Sequence, residues 1–264
     1  MVHKPKQRSS SPLITVVVPS YNQGKFLEQC LESIFKINLP IEVFVLDGGS
    51  SDNSLDVIKN YNDKITWWRS HKDDGQSAAI NEGIARGNAP YVCWLNSDDF
   101  FYEGGLEAMY AQLVNHQEKA FAYGKCWLTS ESGCRLSHYL TLPFSAYLLA
   151  NYCFICQPGT LISRKAWESI GGLNESLNLA MDYDLWWRLY NQFGAPQFCR
   201  MDIAASRAHA DTKTANSIDD HYSESTDVVR NHYGRVPIKW LIAKPIMKIV
   251  RAIEHKIYKN KALQ

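Results

Sequence analysis

Residues 13–35 read LITVVVPSYNQGKFLEQCLESIF, and the change of pattern inside this stretch decides the fold class. Through Val18 the run is continuous and β-branched, as in a strand buried on both faces, and it ends at Pro19. From Gln23 the apolar residues are Phe26, Leu27, Cys30, Leu31, Ile34 and Phe35, the spacing of a helix with one apolar face. A polar connection, Pro19-Ser20-Tyr21-Asn22, joins the two. The same alternation continues downstream. Ile41–Leu46 reads as a strand ending at Asp47-Gly48-Gly49, Ser54–Tyr61 as a helix and Ile65–Trp68 as a short strand. Gln76–Arg86 reads as a helix, Tyr91–Leu95 as a strand and Glu103–Asn115 as a helix. Alternating strands and helices imply a parallel sheet covered on both faces and joined by right-handed crossovers. Ligands of such sheets bind beyond the carboxyl ends of the strands. The polar clusters fall there: Pro19–Asn22, Asp47–Ser50 and Asn96-Ser97-Asp98-Asp99.

The second half is less regular. Phe121–Trp127 reads as a strand, Glu131-Ser132-Gly133 as a turn, Asp182–Phe193 as a helix and Gln197–Ala210 as extended chain. Neither an internal repeat nor a low-complexity linker is present.

Composition narrows the class. The chain has 264 residues, 45% of them hydrophobic, which is enough for a sizeable core. Lys and Arg number 28 against 27 Asp and Glu, a balance that argues against a nucleic-acid binder. The seven cysteines are scattered, and the Cys153/Cys156 CxxC lacks the second pair of a zinc site; they read as small buried hydrophobes in a reducing compartment. No run reaches the ~18 apolar residues of a membrane span. MVHKPKQRSSSP at the start is basic and polar without an apolar leader core, so residues 1–12 are expected to be a flexible tail.

Two clusters carry candidate chemistry. Asp98 and Asp99 are adjacent carboxylates, which repel and are costly to bury. A divalent cation with hard oxygen ligands, Mg²⁺ or Mn²⁺, relieves that cost; the alternative is a solvated turn or a cap on the Glu103–Asn115 helix. Asp47-Gly48-Gly49-Ser50-Ser51-Asp52 offers a carboxylate to an imide N–H such as that of uracil, or forms a tight turn that caps the next helix. It is neither a G-x-G-x-x-G fingerprint nor a Walker loop.

Taken in order, VVVPSYNQGKFLEQCLESI (16–34), VFVLDGGSSDNS (43–54), DDGQSAAINEGIARGNAPYVCWLNSDD (73–99) and AMDYDLWWRL (180–189) resemble the family 2 glycosyltransferases of the GT-A fold over roughly residues 13–210. The resemblance implies an α/β fold with a mixed, mainly parallel sheet sandwiched by helices. It also implies inverting transfer of a sugar from a nucleotide-diphosphate donor, UDP- or dTDP-type, to a saccharide or lipid-linked saccharide acceptor. The expected organisation is one domain over 13–234, with a nucleotide-sugar half (13–115) and an acceptor half (116–234), followed by a basic tail over 235–264.

Carried over residue by residue, Pro19 and Tyr21 would line the base pocket and Asp47 would hold the base imide. Asp74, Gln76 and Asn81 match a donor-side stretch, and Asn96-Ser97-Asp98 stands at the family's D-x-D. Asp98 would bind the Mg²⁺ or Mn²⁺ that bridges the diphosphate, and Asp99 would face the donor sugar or the acceptor. Asn96 replaces the first acid of the motif, which leaves a hydroxyl contact feasible and removes one negative charge. Asp182 would be the catalytic base, with Met181 where the family has Glu; as a residue type it also reads as a helix cap. His209 stands where the family often places a histidine near diphosphate and metal, and a lone histidine is otherwise a core or surface residue. Of Trp186 and Trp187, one is expected in the core and the other, Trp187, beside the acceptor. The Q-x-x-R-W motif of the processive synthases is absent, which favours single addition.

The tail RVPIKWLIAKPIMKIVRAIEHKIYKNKALQ (235–264) interleaves Lys and Arg with Trp240 and aliphatic residues. Such a helix suits an anionic bilayer, which would place the protein on the inner face of the plasma membrane; alternatively it docks on the catalytic domain or on a second copy in a homodimer. Two rival activities remain: a nucleotidyltransferase, for which Ser20–Lys25 supplies only Lys25 as a phosphate grip, and a degenerate sugar-nucleotide-binding scaffold, suggested by Asn96 and Met181.

Overall fold

Strand β1 (Ile14–Ser20) is covered on both faces, which is why its sequence lacks alternation. Val16 and Val18 join one apolar cluster with Leu27, Leu31 and Ile34, whereas Val17 joins another with Ile80, Ile84 and Trp94. These positions come from a computed structural model that describes residues 11–209, 212 and 217–240, with only the backbone of Ile218. The N-terminal segment before residue 11 and the tail beyond residue 240 lie outside it.

The elements follow as α1 (Gly24–Phe35), β2 (Ile41–Asp47), α2 (Ser54–Asn60), β3 (Trp67–Ser70), α3 (Gln76–Arg86), β4 (Tyr91–Trp94), β5 (Phe100–Phe101) and α4 (Gly105–Asn115). Then come β6 (Phe121–Thr129), β7 (Arg135–His138), α5 (Ala146–Asn151), β8 (Thr160–Ser163), α6 (Arg164–Ser169), α7 (Met181–Phe193), β9 (Gln197–Arg207) and α8 (Ile218–Tyr233). The sheet order is β3-β2-β1-β4-β8-β6-β9-β5, with β7 paired to β6. Strands β1 to β4 run parallel to one another, β8 enters antiparallel between β4 and β6, and β9 runs parallel to β6. This is the mixed α/β sheet expected.

Helix α3 seats tightly on β1 and β2 because residue 83 is glycine. A Cβ there would lie 2.6 Å from Val17 Cγ1 and 2.7 Å from Leu46 Cδ1. Helices α3, α6 and α7 cover one face of the sheet, and α1, α2 and α4 the other. Trp94 of β4 stacks on Trp186 of α7 with ring centroids 6.1 Å apart, which anchors α7 to the strand that delivers Asn96–Asp99.

Several sequence expectations are corrected. Trp187 does not border a cleft: it is 1% exposed and packs among Tyr183, Tyr190, His232 and Tyr233, so both tryptophans are core. Asp99 does not cap α4, which starts after Gly104 in the left-handed region (φ 74). Asp182 is the second residue of α7, behind Ala180 at the cap position, and so is not its N-cap. Of the tail, Trp240 packs near Tyr222 and donates its indole N–H to the Ala150 carbonyl at 2.7 Å.

Candidate active site

A cleft of about 720 Å³ opens at the carboxyl ends of β1, β2 and β4, and Asp98 and Asp182 both line it. Its walls come from opposite faces of the sheet: Gln23, at the N-terminus of α1, on one side, and α3 and α7 on the other.

On the α1 side, His209 Nε2 and Asp98 Oδ2 lie 2.9 Å apart. Gln23 Nε2 donates to the same carboxylate oxygen at 3.3 Å, and Ser97 Oγ donates to Gln23 Oε1 at 2.8 Å. The His209 ring packs against Phe26 at 4.8 Å, with its Nδ1 buried and without a partner among the described residues. Asp99 turns inward and is 4% exposed. Its Oδ1 accepts the Arg207 backbone N–H at 2.9 Å. Burial, followed by the charge of Asp98, holds the Asp99 carboxyl well above the usual range, against the pull of Arg207. Arg207 fixes the turn from below through Nε to the Asp98 carbonyl at 2.6 Å and Nη2 to Gln29 at 2.6 Å.

A row of amides forms the floor. Gln76 Nε2 donates to Asn96 Oδ1 at 2.8 Å, Asn96 Nδ2 to Gln157 Oε1 at 3.2 Å, and Gln157 Nε2 to the Trp94 carbonyl at 2.9 Å. This row explains the amide at position 96. A carboxylate there has no proton for Gln157 Oε1 and would crowd a third carboxyl group beside Asp98 and Asp99.

One end of the cleft is lined by Pro19, Tyr21, Gly48, Gly49 and Asp73. Tyr21 is 64% exposed, an open aromatic face. A Cβ on Gly48 would sit 3.3 Å from the Tyr21 ring and 3.6 Å from the Asp73 carboxylate, so the glycine keeps the slot between them clear. Asp47 is fully buried behind this slot. Its carboxylate already accepts Gly49 N (3.1 Å), Ser50 N (3.0 Å), Ser70 Oγ (2.6 Å) and the Ser50 hydroxyl. It braces the Gly-Gly turn and stands off the lining of the cleft. Asp74 is exposed and off the lining, and its neighbour Asp73 faces the cleft, held by Arg69 Nη1 at 3.1 Å. Asn81 is also elsewhere: it clamps the Leu173 N–H at 2.9 Å and carbonyl at 3.0 Å, and bonds Glu175 at 2.8 Å.

On the α7 side, burial raises the Asp182 carboxyl to about 6, against the Tyr183 N–H that it accepts at 2.8 Å. No ion pair engages it among the described residues. Met181, where an acid was expected, accepts Ser77 Oγ through its sulfur at 2.8 Å and ties α7 to α3. Gln23, Asp73, Gln157 and Arg207 are among the cleft residues that the sequence did not point to.

The profile of Glycosyl transferase family 2 matches residues 15–168. An uncharacterized glycosyltransferase of Rickettsia felis is 29% identical over 228 residues, covering 81% of this chain and 37% of that protein. Chondroitin synthase of Escherichia coli is 23% identical over 241 residues, covering 90% of this chain and 35% of the synthase. The chain therefore spans little more than a third of these two relatives. Among solved structures, S. aureus TarS 1-349 in complex with UDP-GlcNAc matches at TM-score 0.68 and 16% identity, over 83% of this chain and 66% of that one. Mannosyltransferase PcManGT of Pyrobaculum calidifontis, in complex with GDP-Man and Mn²⁺, matches at TM-score 0.64 and 15% identity, over 91% of this chain and 69% of that one. At these identities the structural likeness speaks to the fold.

Proposed function

The chain belongs to glycosyl transferase family 2, and from that premise we propose that it moves one sugar, with inversion, from a UDP- or dTDP-type donor to an acceptor hydroxyl. A role in building a bacterial surface polysaccharide or glycolipid follows from the same reading. The observation that carries it is one cleft lined by Asp98 on the α1 side and by Asp182, whose carboxyl burial raises to about 6, on the α7 side.

An acceptor hydroxyl is a poor nucleophile until a base takes its proton. Asp182 fits that task, because a carboxylate raised to about 6 is ionised at neutral pH yet more basic than an ordinary one. Tyr21 offers its face to the nucleobase and Gly48 lets the base in, while the amide row orients groups on the donor sugar and ribose. Asp98 Oδ2 and His209 Nε2 fit a divalent cation, being one hard oxygen and one imidazole nitrogen already side by side. Among the described residues no third His, Cys, Asp or Glu completes a metal cluster, which suits Mg²⁺ or Mn²⁺ sharing its coordination with diphosphate oxygens. When bound, the cation neutralises charge that builds on the departing diphosphate. The mannosyltransferase held with GDP-Man and Mn²⁺ supports this reading.

Calorimetric titration with UDP, dTDP and GDP sugars, paired with a donor-hydrolysis assay, tests the proposal. The expected result is saturable binding of one nucleotide class and turnover that requires Mg²⁺ or Mn²⁺. Binding without hydrolysis or transfer would instead support the degenerate scaffold. That rival is weakened by the partners found for Asn96 and Met181, which give each replacement a structural reason.

The lipid-linked acceptor and the anionic bilayer surface belong to the same reading through residues 235–264. Among the described residues no helix is long and apolar enough to cross a membrane. The full-length chain is expected to pellet with vesicles containing anionic lipid at low salt and to be released as salt screens the charges. A truncation at residue 240, which keeps Trp240 on Ala150, should stay in the supernatant. No full-length protein in the pellet leaves docking on the domain, or on a second copy, as the reading of the tail.

A further inference from the structure

We propose that Glu224 is a positioning residue for Asp182, holding the backbone on which that side chain is mounted. From α8, its carboxylate gathers three consecutive N–H groups: Asn178 at 3.2 Å, Leu179 at 2.8 Å and Ala180 at 3.0 Å. These amides precede α7, so no carbonyl within that helix can take them. Asn178 and Leu179 line the cleft and Ala180 is fully buried. The Ala180 carbonyl accepts the Asp184 N–H at 3.0 Å, closing the first turn of α7, in which Asp182 lies. A carboxylate at this end of α7 also lies favourably against its dipole.

A second grip follows one turn on. His232 of α8 bonds Asp184 Oδ1 through Nε2 at 2.8 Å and stacks on Trp187 with ring planes 3° apart. Helix α8 therefore sets both where α7 starts and how it is rotated. It lies beyond residues 15–168, so the family match assigns it nothing. Glu224 does not line the cleft. Its influence on chemistry runs through the 178–180 strap.

The inference rests on Asp182 being the base, and its test separates the two. Glu224→Ala removes Oε2, the one oxygen that takes all three N–H groups, together with the Oε1 contact to the Asn178 N–H at 3.3 Å. Turnover is expected to fall about 10- to 100-fold, as for a displacement of order 1 Å at a reacting group. The donor Kd should stay within about twofold, because the donor contacts lie on β1, β2 and β4. Made in an Asp182→Asn background, the same change should cost nothing further, since a positioning residue has nothing left to position. Loss of donor affinity in step with turnover, or an additive loss in the double variant, overturns the proposal and makes Glu224 a cap alone. If Asp182→Asn by itself leaves turnover intact, the base assignment fails instead.

Discussion

Asp182→Asn is expected to lower transfer about 10²-fold or more while the donor still binds, the range that removal of a general base covers. The amide keeps the shape, and its oxygen can still accept the Tyr183 N–H. What disappears is the proton acceptor. Donor titration should match the wild type, because Tyr21, Gly48 and Asp98 lie on other elements. Loss of binding together with turnover would make Asp182 structural.

The pH dependence is specific. With the carboxyl at about 6, kcat of the wild type should fall as pH drops through that value, whereas residual turnover of the variant should lack that limb. Stability gives an independent readout with a worked sign. The folded protein holds the Asp182 proton more tightly than the unfolded chain does, so ionisation costs stability. That cost grows as pH rises from the ordinary carboxylate range to about 6 and is constant above it. At pH 7 it amounts to about 3 kcal/mol at most. Asp182→Asn removes it, so the melting temperature at pH 7 should hold or rise, and the gain should shrink towards pH 4. A melting temperature that falls at pH 7 contradicts the buried, unpaired carboxylate.

The N-terminal half was legible because its signals are local. Leu13–Val18 and Ile41–Leu46 are apolar runs covered on both faces, and the Gln76–Arg86 boundaries follow from a Gly before and a Gly after. The C-terminal half depends on distant partners. Strand β8 is four residues long and gains its identity only between β4 and β6. Helix α8 is written mostly in polar residues, yet Ser225 and Thr226 are buried against the rest of the fold. Within the cleft, the structure gathers Pro19, Tyr21, Gln76, Asn96, Ser97, Asp98, Asp99 and Asp182, with His209 behind Asp98. Asp47, Asp74, Asn81 and Trp187 fall away for reasons a motif cannot encode. Asp47 is buried in bonds to its own turn and to Ser70, Asp74 is exposed while its neighbour Asp73 faces the cleft, and the other two face packed neighbours. Glu224 carries no sequence signal, because its partners are backbone amides.

Asp98→Ala is expected to reduce transfer by about 10³-fold and to erase the metal-dependent part of UDP affinity, on the scale of removing a group that stabilises charge in the transition state. The turn is held by backbone atoms, through Arg207 to the Asp98 carbonyl and to Asp99, so the fold should survive the loss of the carboxylate. Asp99 should ionise more readily in the variant, because the Asp98 charge is one cause of its raised carboxyl. It cannot substitute for Asp98, since its Oδ1 faces the Arg207 N–H and it is buried. His209 alone offers a single imidazole nitrogen, too little to hold Mg²⁺ or Mn²⁺ against water. UDP titrations with and without Mn²⁺ should therefore differ for the wild type and coincide for Asp98→Ala. EDTA should bring the wild type down to the level of the variant. Wild-type turnover that persists in EDTA would remove the cation from the mechanism and leave Asp98 and His209 as a hydrogen-bonded pair.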